Sequence, residues 1–249
     1  MHWIYLSPHL DDAVWSCGAR IWQQVQQGDA VEVWTICTAD PPVGDLAPYA
    51  TMLHQRWGVG RDASQRRRAE DAAACTRLGA AYRHLNLPDC IYRTRADGSP
   101  RVSSDADLFT SPLQEEPALI DWLAQLFQNQ LDSQARIVTP LALGNHTDHW
   151  LTRLAAERLG RHLWYAADFP YSDRLQAIPE GALPDGAVSE TIILTTDALR
   201  AWGEAVRCYT SQISTFWQSD ATLTAALERH AARGWAGTLW RSEGVSVSR

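Results

Sequence analysis

Val31-Glu32-Val33-Trp34-Thr35-Ile36-Cys37-Thr38 is apolar along most of its length, and such a run suits a strand buried on both faces of a parallel sheet. Gly28-Asp29 stops a helical pattern that runs from about Asp12 to Gln27, and that helix follows a strand-like run from Trp3 to Ser7. Downstream lies a loop with Pro and Gly, from Pro41 to about Arg61, then a helix from Ala63 to Leu78 with Gly79 in the capping position after it. A strand near Tyr82 to Leu85 leads into an irregular stretch through Pro112. The pattern then predicts a helix over Pro117 to Gln130, a strand over Arg136 to Thr139 and a helix over Asp148 to Arg161. Strands near His162 to Ala166 and Glu190 to Thr195 follow, with helices from Asp197 to about Tyr209 and from Ala221 to Arg233. Strand and helix in alternation predict an α/β fold, a three-layer Rossmann-like domain with a mostly parallel sheet. With no internal repeat or linker, residues 1–249 are expected to form one domain.

Composition narrows the chemistry. All 22 basic residues are arginine, so a Schiff-base lysine, a phosphate-loop lysine and a Ser-Lys dyad are excluded. The net charge of -7 disfavours a nucleic-acid or anionic-membrane surface. No stretch approaches the roughly 20 apolar residues that cross a bilayer. The five cysteines, at 17, 37, 75, 90 and 208, are widely spaced without a Cys-x-x-Cys pair, so neither a disulfide framework nor a thiolate zinc site is indicated. The start of the chain has no basic flank or apolar region of signal-peptide length, and a cytoplasmic location is expected. The twelve tryptophans read mainly as packing residues, with stacking on sugar rings as the sharper alternative. The sequence is compatible with a homo-oligomer and specifies none.

Two loops gather His and Asp at the carboxyl ends of predicted strands, where open α/β sheets place their sites. The first is Ser7-Pro8-His9-Leu10-Asp11-Asp12-Ala13 and the second is Asn145-His146-Thr147-Asp148-His149. Hydrolytic zinc takes three N/O ligands and leaves one position for water, whose pKa it lowers toward ~7 for an adjacent carboxylate to deprotonate. His9 and Asp12, three residues apart, can aim at one ion that His149 closes from the second loop, leaving Asp11 free to act as base. His146 is placed to face substrate, as oxyanion partner or as proton donor to the leaving amine. Asp148 is expected to hold His146 in its working tautomer. Taken singly, either Asp of the first loop also reads as a helix N-cap; both loops at strand ends favour a site.

These segments resemble the LmbE-like, or PIG-L, family of zinc-dependent N-deacetylases, named for N-acetylglucosaminyl-phosphatidylinositol de-N-acetylase. Pro8-His9-Leu10-Asp11-Asp12-Ala13 is similar to the family's Pro-His-x-Asp-Asp-Glu, and His146-Thr147-Asp148-His149 to its His-x-Asp-His. Arg67-Arg68-Ala69-Glu70 with Leu78-Gly79, then Leu87-Pro88-Asp89 and Tyr209-Thr210-Ser211-Gln212, extend the resemblance over most of the chain. It implies His9, Asp12 and His149 as ligands, Asp11 as base, His146 as the polarising or acid histidine, and Arg67 and Asp89 in the substrate pocket. It also implies one zinc ion, although two His and one carboxylate also suit ferrous iron, and an N-acetylated glycoside as the small-molecule substrate. The sequence departs from the family at Ala13, where a Glu is usual, and at Gly144, where some sugar-deacetylating relatives carry a Tyr.

Two other readings fit the same residues. One is a metal-dependent hydrolase of another amide or an ester; the other is a non-catalytic sugar-binding module on this scaffold. The loop from Pro41 to Arg61 and the segment from Arg93 to Pro112 are expected to rim the pocket.

Overall fold

A computed structural model describes residues 1–58, 60 and 62–242; Arg61, where the expected loop ends, lies outside them. The chain runs β1 (His2–Ser7), α1 (Asp12–Gln26), β2 (Ala30–Thr35), α2 (Pro48–Trp57), α3 (Ala63–Leu78) and β3 (Ala81–His84). It continues with α4 (Asp105–Leu108), α5 (Pro117–Gln130), β4 (Arg136–Pro140), α6 (Thr147–Glu157) and β5 (Leu163–Ala166). β6 (Val188–Thr191), α7 (Thr196–Val206), α8 (Thr210–Phe216), α9 (Asp220–Ala232) and β7 (Thr238–Arg241) complete the order.

The seven strands form one sheet in the order β3-β2-β1-β4-β5-β7-β6. β1 to β5 are parallel, and β7 joins β5 and β6 antiparallel. Alternation within the strands explains the three layers. Trp3, Tyr5, Val31, Val33, Val138 and Trp164 face one core with side chains of α1, α3, α7 and α9. Ile4, Leu6, Trp34, Ile137, Leu163 and Tyr165 face the other, packed on α5 and α6. The strand-and-helix reading of the fold is therefore correct. Eight of the twelve tryptophans are buried, as packing residues should be. Among the described residues no helix is long and apolar enough to cross a membrane.

Four expectations change. The loop from Pro41 to Arg61 contains α2: Pro48 starts this helix and Gly58, at φ 64, ends it, so residues that read as loop formers are its start and stop signals. The helix expected from Asp197 to Tyr209 ends at Val206, and α8 begins at Thr210. Tyr209 is non-helical between them, with its hydroxyl donating to buried Asp71 at 2.7 Å. The strand expected over Glu190 to Thr195 lies at Val188–Thr191, paired antiparallel with β7, which the pattern did not predict. The helix expected over Asp148 to Arg161 spans Thr147–Glu157.

The chain moves outward from β1 to β2 and β3 on one side, then returns to place β4 and β5 on the other. This reversal opens a crevice between the carboxyl ends of β1 and β4, the usual ligand position in such sheets.

Candidate active site

Both His/Asp loops meet at that crevice. After β1 the chain turns so that Asp12 Oδ2 accepts from the His9 backbone N–H at 2.8 Å and lies 3.1 Å from His9 Nδ1. After β4, Ala142 and Asn145 both sit in left-handed conformation at φ 59. That conformation costs a non-glycine residue roughly 1–2 kcal/mol, and such residues cluster at functional sites. The Asn145 N–H bonds back to Ala142 at 2.9 Å, a tight turn that feeds His146 and α6 into the crevice.

His149 Nε2 lies 3.3 Å from the same Asp12 Oδ2. It is buried and, among the described residues, forms no hydrogen bond of good geometry. Zinc–ligand bonds of about 2.0–2.2 Å in a tetrahedron set neighbouring donors roughly 3.3 Å apart. The separations of His9 Nδ1 and of His149 Nε2 from Asp12 Oδ2 match two edges of such a tetrahedron, and among the described residues His149 Nε2 is left without a hydrogen-bond partner. The donor set fits one zinc ion. One donor atom each from His9, His146 and His149 also lies within 4.8 Å of the others. His146, however, uses Nδ1 to accept the Asp148 N–H at 3.2 Å, so Asp12 is the better third donor.

Carboxylates stand behind both ligand-type histidines. His9 Nε2 is 3.1 Å from Asp148 Oδ2, and His149 Nδ1 is 2.6 Å from Asp168 Oδ1. Such partners fix the tautomer and raise the basicity of a metal-binding imidazole. Burial lowers the pKa of both histidines, but the carboxylates outweigh it: His9 is held well above the ordinary value, and His149 is raised to about 9, chiefly by Asp12. Metal binding must therefore displace protons here. Asp12 is held well below the carboxylate range because the His149 and His9 charges overcome its burial.

Asp11 points away from these donors. Its Oδ2 lies 3.3 Å from Arg67 Nη2. Burial pushes its pKa up to about 7, with Arg67 opposing and Asp12 adding to the rise. A base with that pKa suits proton transfer at neutral pH. His146 is held well below the ordinary value by burial and by the neighbouring His9 and His149. It is neutral, and with Nδ1 accepting from the Asp148 amide its proton resides on Nε2.

The expectation for Asp148 needs correction. Its carboxylate meets His9 Nε2, the Cys90 N–H at 3.0 Å and Arg93 Nη1 at 2.7 Å. Orienting His146 falls instead to the Asp148 backbone amide, because the start of α6 aims that N–H at the ring. Arg67 extends to Asp11, whereas Arg66 makes the helix ion pair with Glu70 at 3.5 Å. Asp89 Oδ2 is 3.7 Å from His9 Nε2, while its Oδ1 accepts the Ile91 N–H at 3.1 Å and caps a short 3₁₀ turn. The Tyr209 segment is fastened to α3, where Glu70 accepts from the Ser211 hydroxyl at 2.6 Å and from Thr210 at 2.8 Å. Asp168 and Arg93 are additions that sequence reasoning missed. Asp168 follows β5, a strand end like those that carry the other two loops.

His9, Asp11, Asp12, Arg67, Asp89 and His146 all open onto one pocket, with Trp57, Tyr171, Gln212 and Phe216 around it. Tyr171 and Phe216 also line an adjoining groove of about 730 Å³. The family model of GlcNAc-PI de-N-acetylase (PIG-L) matches residues 4–159, which include both His/Asp loops. The chain belongs to the PIG-L family. A relative, 2'-N-acetylparomamine deacetylase of Niallia circulans, is 30% identical over 188 residues, 68% of this chain and 66% of that protein. The zinc-inhibited form of teicoplanin deacetylase Orf2 has a TM-score of 0.85 at 28% identity over the full length of both chains. The A40926 pseudoaglycone deacetylase Dbv21 has a TM-score of 0.74 at 31% identity, covering 98% of each chain. Similarity to the latter two extends past the family match to α7, α8 and α9.

Proposed function

We propose that this PIG-L protein is a zinc-dependent N-deacetylase that removes an N-acyl group from the amino sugar of a glycoside. The approach of His9 Nδ1 and His149 Nε2 to one oxygen of Asp12, with Asp11 next in the chain, carries the reading. We assign His9, Asp12 and His149 as ligands, with Asp148 and Asp168 as their carboxylate partners. Zinc held there supplies Lewis acidity that acidifies water and polarises the amide carbonyl. Asp11 takes the proton of the attacking water as its oxygen bonds to the carbonyl carbon. His146 donates Nε2–H to the oxygen on which charge develops. When the C–N bond breaks, Asp11 returns the proton to the leaving amine. Arg67 keeps Asp11 oriented, and with Asp89 it borders the space for the sugar. The activities named for the relatives, on N-acetylated or glycopeptide compounds, support an amino-sugar amide as substrate.

The wider groove beyond Tyr171 and Phe216 suits the remainder of a glycoside, while the acyl group sits by the ligands. The five free cysteines support a reducing, cytoplasmic setting. The test is a panel of N-acetyl and longer N-acyl glycosides incubated with the zinc-loaded protein, with freed amine read by fluorescamine. The chain has no lysine, so the protein adds little background. Release of amine that tracks zinc content is the expected result; none from any member would refute the reading.

A further inference from the structure

We propose that the Tyr171 hydroxyl is a second hydrogen-bond donor to the oxyanion, in a position made available by Gly144. The inference rests on the deacetylase reading above. Amide hydrolysis places negative charge on the former carbonyl oxygen, and preset donors aimed there make one of the largest contributions to rate. The pocket has few donors to offer. Arg67 is paired with Asp11, Gln212 donates to the Ser211 hydroxyl, and the chain has no lysine. His146 provides one N–H. Among the described residues, Trp15 Nε1 and Arg67 Nε in the lining are also without a partner, but Tyr171 is the uncommitted donor whose ring packs against His149; its hydroxyl forms no hydrogen bond with them.

The ring stands in the pocket beside a proposed ligand. It begins a 3₁₀ turn, Tyr171–Arg174, shortly after Asp168, and packs edge-on against His149 with centroids 5.3 Å apart. Phe109 meets it edge-on from the rim at 6.4 Å. Gly144 leaves the volume for it: a Cβ there would fall 2.3 Å from Tyr171 Cδ1, 2.4 Å from Cγ and 2.8 Å from Cε1. A side chain at residue 144 and the Tyr171 ring therefore exclude each other, and this chain uses the space next to His146 for a phenol from a different loop. A tyrosine hydroxyl, with an ordinary pKa near ~10, is protonated at neutral pH and donates without giving up its proton. Proton transfer remains with Asp11, so the balance of the reaction is unchanged.

Two variants and two readouts test this. With the full-length zinc-loaded protein and 4-nitrophenyl 2-acetamido-2-deoxyglucoside, or the fastest glycoside of the panel, Tyr171→Phe should lower kcat about 10²–10³-fold. KM and bound zinc should stay within about twofold, because the donor acts on charge that develops only in the transition state. Binding of the methylphosphonamidate of glucosamine, whose tetrahedral phosphorus mimics the adduct, should weaken at least tenfold by calorimetry, with glucosamine binding unchanged. Gly144→Ala, which must move the ring, should give a similar loss of kcat, and Tyr171→Phe combined with it should add less than about threefold. A Tyr171→Phe kcat within threefold of wild type, or undiminished phosphonamidate binding, overturns the role of Tyr171 and leaves the deacetylase reading intact. No turnover by the wild-type zinc protein across the panel removes the deacetylase reading and this inference with it.

Discussion

Asp168→Asn takes one negative charge from behind His149 while keeping the shape of the side chain. Asp168 is buried at 3% exposure and spends both oxygens: Oδ1 accepts from His149 Nδ1 at 2.6 Å and Oδ2 from the Leu143 N–H at 3.1 Å. An amide has one acceptor oxygen, so either orientation sets its NH2 against an N–H donor. If the oxygen stays with His149, the Leu143 amide loses its partner and the turn before His146 loosens. If it turns to Leu143, His149 loses its anchor. A hydrogen bond to a charged group contributes about 1.5–3 kcal/mol, and loss of a partner behind a metal ligand weakens metal binding about 10–100-fold. The expected cost is therefore roughly 1.4–2.7 kcal/mol of zinc affinity. Competition with a chromophoric chelator at pH 7.5 measures it for the two proteins, with circular dichroism confirming the fold. A dissociation constant within twofold of wild type, in a folded variant, would refute the argument that Asp168 sets the His149 ligand.

Other outcomes follow from the same geometry. Asp11→Asn should bind zinc as the wild type does and lose at least about 10²-fold in kcat, whereas His149→Ala should lose both zinc and activity; metal analysis beside turnover separates the two. Zinc at 100 times its dissociation constant should stabilise the folded chain by about 2.7 kcal/mol, seen as a rise in melting temperature that a chelator reverses. His230 packs 4.8 Å from Phe169 and 5.9 Å from Trp202, and burial pushes its pKa down to about 4. Below about pH 6.5 the unfolded chain takes up a proton that the folded chain refuses, so stability is full above that pH and falls as pH drops, by about 2 kcal/mol between pH 7 and pH 5. Urea titrations should show this loss in the wild type and not in His230→Gln; an equal loss in both would place its origin elsewhere. Phe216→Ala should raise KM for glycosides with a large aglycone several-fold and leave that for a methyl glycoside nearly unchanged, as steady-state kinetics can show.

The layers and the two His/Asp loops were legible because both leave local marks. Buried parallel strands are apolar without alternation, and a turn that aims His and Asp at one point keeps them within a few residues. α2 was hidden because Pro48 and Gly58 act as its boundaries while its interior, with His54, Gln55 and Arg56, has only a narrow buried face. β7 is four residues long and owes its strand conformation to β5 and β6 on either side, a pairing from distant sequence. The same distance hid Asp168, 19 positions from the histidine it holds. Asp148 was placed on the wrong partner for a related reason. Its neighbour in sequence is His146, but the start of α6 turns its carboxylate inward to His9 and Arg93, leaving the backbone amide for His146.

Arg93 joins the rim of the pocket to its floor. Its Nη1 donates to Asp148 at 2.7 Å, and its Nε and Nη2 form a fork on Glu116 at 2.7 and 2.9 Å, where Arg101 also arrives at 3.3 Å. The Thr147 hydroxyl adds a second tie, donating to the Thr110 carbonyl at 2.9 Å. Exchanging the segment between residues 93 and 116 with that of another deacetylase, an obvious route to new specificity, would thus reach the metal. A graft without a cation at 93 would strand the Asp148 charge in the protein interior, and breaking a buried pair in that way costs roughly 3–5 kcal/mol. A transplanted rim should carry its arginine and its glutamate as one cassette, or the recipient will trade zinc for selectivity.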